Sequence, residues 1–170
     1  MSASVGNRTR PAVLRAARVA AAAGAALAVI GVVDRYGHWP LLTATLGPTA
    51  YLFAAHPSEE SARRRNAMVG HAIAILSALA ALGIFGLWNE PSAAVLGHVH
   101  LSQALATGAA LAATLLVLEL VDCHHAPAAA TAVLITTGLV QPGRQLLALV
   151  SGLALLILLS PLLGWAPERE

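Results

Sequence analysis

The stretch LGPTAYLFAAHPSEESARRRNAMVGH, residues 46–71, decides how this chain is read. An apolar run broken by Gly47-Pro48 ends at His56-Pro57. A charged loop follows, and a long apolar segment then opens with Asn66, Gly70 and His71. Polar groups at the mouth of a membrane segment mark the handling of something polar. Three readings stand open: a passage, a catalytic centre, or an anchored turn.

The composition around that stretch supports a membrane setting. The chain has 170 residues, of which 58% are hydrophobic and 11% charged. That length suits one domain, but a soluble globule would lack the charged groups to cover its surface. Several apolar runs approach or exceed the roughly 18 residues of a bilayer span. The basic residues are all Arg, and the formal net charge of +2 is too small and scattered for a nucleic-acid surface. The single Cys123 excludes an internal disulfide. No hydrolase elbow, Gly-rich phosphate loop or paired zinc motif is present, so no catalytic set, metal or cofactor is expected.

The expected fold is all-α: a polytopic membrane helix bundle of about six segments in contact with lipid. The segments fall at about 13–33, 40–55, 66–88, 101–121, 126–140 and 144–165. The breakers His38-Trp39-Pro40, Pro57, Pro91, Pro127, Gln141-Pro142-Gly143 and Pro167 lie between or after them. The apolar stretch 16–33 is too long for the core of a signal peptide and is expected to stay as a first membrane helix. This gives a cytoplasmic tail at 1–11, a single transmembrane domain at 12–166 and a cytoplasmic tail at 167–170.

Arginine placement sets the expected orientation. With six crossings and a cytoplasmic N-terminus, Arg8, Arg10, Arg15, Arg18, Arg63, Arg64, Arg65 and Arg169 lie inside, and Arg35 and Arg144 outside. Trp39, Trp88 and Trp165 sit at span ends, where interfacial aromatics gather. A plasma or inner membrane is the expected location, with both termini cytoplasmic. A chain of 17.3 kDa is small for a lone passage, so a homo-oligomer is expected.

The segments also divide as three plus three. Each half holds a long span, a short Pro-started segment (PLLTATLGPTAYLFAA or PAAATAVLITTGLV) and another long span. Each of those last spans opens on Arg and an amide, Arg65-Asn66 and Arg144-Gln145. Three crossings per half would invert one half relative to the other. Paired short or broken segments in inverted halves are the best sequence pointer to a transporter site. A helix that begins at mid-depth presents unpaired N–H groups and a positive dipole end, which attract anions. The blander account is a pair of tilted or re-entrant packing helices.

Several side chains carry candidate chemistry. His71 can donate to an anion or carry a proton, or it is a hydrogen-bonded packing residue. Gly70 lets a neighbouring backbone come close to it. Thr43, Thr45, Thr49, Thr131, Thr136 and Thr137 stud the short segments and either line a polar path or bond back to their own backbone. Glu119, Asp122 and His125, with His124, form the best metal or acid–base candidate, although interfacial charge is the plainer account. His98, His100 and Glu90 are read as ordinary loop residues, and Arg63 and Arg64 as topology anchors.

The opening stretch resembles the signature block of the HPP family of bacterial and plastid membrane proteins. Gly47, Ala50, Leu52, Phe53 and Ala54, then Arg65, Asn66, Gly70 and His71, carry the likeness. A second block, HAPAAATAV, matches at His125, Pro127, Thr131 and Ala132, with Ala126 in place of the first proline of the family's naming motif. The likeness covers about residues 40–140. It implies a helical membrane protein, and plastid and cyanobacterial relatives are associated with nitrite transport. Through the family blocks it favours Thr49 and Thr131 over the other threonines. It also singles out Arg65, which would gather an anion or pair with Glu59 or Glu60.

The sequence therefore leads to a transporter or channel for a small inorganic anion, nitrite-like by resemblance. Its expected pathway is Thr49, Arg65, Asn66, Gly70, His71, His125, Pro127 and Thr131. The alternatives are a metal-dependent membrane enzyme around Glu119–His125 and a non-transporting scaffold subunit.

Overall fold

Helices account for the regular structure of the computed structural model, which describes residues 6–164 and the side chains of 12–164. The helices are α1 (Gly6–Gly37), α2 (Leu46–Ala55), α3 (Arg64–Ile84), α4 (Ala93–Leu96), α5 (Leu101–Leu120), α6 (Pro127–Thr136) and α7 (Arg144–Leu163). Four of them, α1, α3, α5 and α7, are long and apolar enough to cross a membrane. Trp165, Arg169 and the tail at 167–170 lie outside the described residues, as do the side chains of Arg8 and Arg10.

The two short segments are helical over only part of the expected lengths. In place of 40–55, helix α2 starts at Leu46. Pro40 brings no N–H and biases Trp39 away from the helical region. The Asp34 carboxylate then takes the Leu42 N–H at 3.1 Å, and the hydroxyls of Thr43 and Thr45 meet at 3.3 Å. These local bonds satisfy the chain without a helix. In place of 126–140, α6 ends at Thr136, and Gly138 follows with φ +74°. A Cβ on Gly138 would stand 2.9 Å from Ser92 Cα, so the turn passes where only glycine fits. Ten residues of helix rise about 15 Å, half of a roughly 30 Å hydrocarbon core.

Contacts at the helix ends sort the bundle into two poles. At the proximal pole Arg15 donates to Ala55 O, Gly164 packs on Pro57, and the Cys123 thiol donates to Asn66 O. At the distal pole Arg144 donates to His38 O, Gln141 to Glu90 O, and Ala93 N–H to Thr137 O. Both short segments therefore connect one pole to the other, each as half helix and half irregular chain. The first half of the chain sets out from the proximal pole and the second half from the distal pole.

Packing couples the halves by exchange. Helix α3 of the first half lies against α5 and α6, and α7 of the second half lies against α1 and α2. Each group of three thus borrows its third helix from the other half. Alanines make this close approach possible: Ala67, Ala74, Ala78 and Ala81 on α3 are buried, as are Ala106 and Ala110 on α5 and Ala128 and Ala132 on α6. The outer faces carry exposed Val29, Leu76, Leu116 and Leu158, and these contact lipid.

Candidate functional site

Four buried polar side chains, Thr49, His71, His125 and Thr131, meet around one ring. His71, seven residues into α3, is 3% exposed. Its Nδ1 lies 2.8 Å from Thr131 Oγ1 on α6, and its Nε2 lies 3.3 Å from Thr49 Oγ1 on α2. The same Nε2 is 3.3 Å from Nε2 of His125, whose Nδ1 reaches Ser61 O at 2.8 Å. The imidazoles meet edge to face at 71°, with centroids 5.0 Å apart. The two rings thus tie together α2, α3, α6 and the loop before α3.

Helix starts and small residues make this meeting possible. Pro127 opens α6 without needing a backbone partner, and this leaves His125 in the turn just before it. Gly70 faces that turn, and a Cβ there would come within 3.1 Å of His125 Cβ and 3.3 Å of Ala128 Cβ. The absence of a side chain at Gly70 is what lets the second ring lie beside the first.

Donor and acceptor counting fixes the protons. Ser61 O only accepts, so His125 Nδ1 carries hydrogen and its Nε2, in the neutral ring, is a lone pair. Thr49 donates its hydroxyl hydrogen to Thr45 O at 2.9 Å, so it accepts from His71 Nε2–H. That N–H is shared between Thr49 Oγ1 and His125 Nε2, and His71 Nδ1 accepts from the Thr131 hydroxyl. Both rings are then neutral, and every contact has one hydrogen.

A cleft of about 220 Å³ opens at the proximal pole between Phe53, Pro57, Ala62, Arg63, Arg64, Ser160 and Gly164. Phe53 stands one turn of α2 from Thr49 and lines this arginine-flanked mouth.

The chain matches the family described as HPP, transmembrane region, over residues 8–166. It belongs to the HPP family. No curated protein and no solved structure matches it. In this HPP chain the two sequence blocks come together in space, since Gly70 and His71 of the first touch His125 and Thr131 of the second.

Other expected residues of the HPP chain stand apart from the cluster. Asn66 is buried, but its amide donates to Glu60 O and its carbonyl receives the Cys123 thiol, so it fastens the loop to the start of α3. Arg65 is exposed at the proximal pole, and Glu60 pairs with Arg63 instead. Glu59 pairs with His56. Thr136 and Thr137 bond back to carbonyls of their own helix. Glu119, Asp122 and His124 are exposed while His125 turns inward, and among the described residues no three His, Cys, Asp or Glu converge as metal ligands. Sequence reasoning missed Ser61, whose contribution is a backbone carbonyl and leaves no mark in side-chain chemistry. It also missed the cleft that Phe53 and Ser160 both line.

Proposed function

We propose that this protein carries a small inorganic anion across the membrane, with nitrite the first substrate to test. The observation that supports this is the position of His71. It meets one hydroxyl from the helical part of each short segment, donating to Thr49 on α2 and accepting from Thr131 on α6. A passing anion of three or four atoms would take the His71 Nε2–H now split between two acceptors at 3.3 Å. Arg63 and Arg64 beside the proximal cleft would raise the local anion concentration. The buried cluster is closed to both poles, so the reading is of an occluded site that opens alternately. Arginine placement supports a cytoplasmic proximal pole, and the proposal includes self-association of the 17.3 kDa chain.

Flux of nitrite, nitrate and chloride into liposomes holding the purified protein tests the proposal, with protein-free vesicles as background. Nitrite flux that falls about tenfold or more in His71→Ala is expected from the loss of a buried hydrogen-bond donor. Absence of flux for every anion overturns the proposal.

A further inference from the structure

We infer that the His71–His125 pair is a single-proton carrier and that the anion crosses together with that proton, as an electroneutral unit. This rests on the anion reading above and adds the co-transported species.

Three observations carry it. First, the pair forms a continuous hydrogen-bonded row: Thr131 Oγ1–H to His71 Nδ1, His71 Nε2–H to His125 Nε2, His125 Nδ1–H to Ser61 O. One proton added at His71 Nδ1 turns the Thr131 hydroxyl from donor to acceptor, its hydrogen falling back on a carbonyl of its own helix. His71 then holds hydrogen on both nitrogens, its Nε2–H still directed at His125 Nε2, and the pair bears one positive charge until that proton leaves with the anion. One proton enters, the same one leaves, and both rings return to their resting neutral tautomers.

Second, the row accepts only one extra proton. A second would set two N–H groups against each other across the 3.3 Å between the Nε2 atoms. Such a pair titrates as a unit.

Third, the interior offers the cationic pair no counter-charge. The buried polar side chains among the described residues are Thr, Asn, Gln, Ser and His, without Asp or Glu. Thr49 faces the pair from α2 and Thr131 from α6. Beside it in the turn, the Cys123 thiol is engaged with Asn66 O. Arg64 and Arg65 on α3, Glu119 on α5, and Asp122 and His124 in the turn are exposed, and Glu60 is paired with Arg63 at the surface. The buried residues of α5 and α7 include no titratable group. An unpaired imidazolium at this depth is costly. An anion arriving at His71 supplies the missing charge, so proton and anion each favour the binding of the other.

The experiment uses full-length protein in liposomes whose potential is set with potassium and valinomycin and whose lumen holds a pH dye. The expected result is one proton delivered per nitrite or nitrate, at a rate indifferent to the imposed potential, after subtraction of protein-free vesicles. Anion flux that follows the potential without lumenal acidification overturns the coupling and leaves the anion reading standing. Absence of flux for every anion overturns both. His125→Asn keeps a donor for Ser61 O but breaks the row, and is expected to abolish the coupled acidification; acidification at the wild-type rate removes His125 from the carrier. Independently of flux, ¹⁵N spectra of histidine-labelled protein in lipid are expected to show His71 protonated at Nε2 and His125 at Nδ1. They are expected to show one shared proton uptake, strengthened by nitrite. Two separate uptakes overturn the inference.

Discussion

His71 Nδ1 and Thr131 Oγ1, sixty residues apart in the chain, stand 2.8 Å apart in the interior of the bundle. The hydroxyl is the donor, because the other ring nitrogen must carry the hydrogen that reaches Thr49. The contact therefore fixes the tautomer of His71 as well as its position, and through it the two halves of the chain meet.

Thr131→Val keeps the shape and removes that donor. It leaves a buried ring nitrogen unsatisfied, at a cost of about 1–3 kcal/mol. The expected outcome is a lower unfolding midpoint in detergent together with reduced anion flux, and recovery of both in Thr131→Ser. Flux at the wild-type level in Thr131→Val would count against a role for this hydroxyl.

Gly70→Ala introduces a methyl 3.1 Å from His125 Cβ and 3.3 Å from Ala128 Cβ, so the turn before α6 must retreat. Overpacking of this kind costs about 1–3 kcal/mol. Gly83→Ala, on the same helix with nothing within 4 Å of the new methyl, is the control. It is expected to stabilise by up to about 1 kcal/mol through helix propensity. Thermal unfolding of both variants, measured side by side, checks the contrast in sign.

The sequence revealed the membrane bundle and the pairing of short segments because both rest on hydrophobic runs and prolines. It also brought out His71, Thr49, His125 and Thr131, through the two family blocks. What it hid was depth and direction. Asn66 sits in the same block as His71 but, five residues away on a helix, turns to the loop and to Glu60 O. Arg65 reads as part of the motif yet projects from the proximal pole. His124 and His125 are neighbours in sequence with opposite fates, one exposed and one buried, because the turn before Pro127 points only the second ring at Gly70. The exchange of α3 and α7 between halves has no local signature, since it depends on which alanine faces find each other.

Cys123 is 4% exposed, and its thiol donates to Asn66 O. Burial pushes the thiol above its usual 9.0, with Arg65 drawing it partly back. Maleimide labelling of the folded protein at neutral pH is therefore expected to be slow, and complete only after denaturation. The sign for stability follows from the same shift. Below pH 9.0 both states hold the proton; above it the unfolded chain releases its proton first, and the folded state loses stability as pH rises. Rapid labelling of the native protein at pH 7 would contradict the buried, hydrogen-bonded thiol.

Arginine asymmetry carries a prediction about the whole bundle. Arg15, Arg18, Arg63, Arg64 and Arg65 are exposed on the segments that form the proximal pole, and Arg35 and Arg144 stand at the distal one. Cytoplasmic retention of arginine-rich ends leads to the expectation that the proximal pole lies inside. Because both short segments run from pole to pole, a reporter fused at the C-terminal end of α7 and one inserted in the 56–63 loop must report the same side. Cytoplasmic fluorescence with inactive alkaline phosphatase is expected at both sites, and the reverse for an insertion between α3 and α5. Opposite sides for α7 and the 56–63 loop would mean that the second short segment, which lies between them, re-enters instead of crossing, and the exchanged packing of α3 and α7 would then need another explanation.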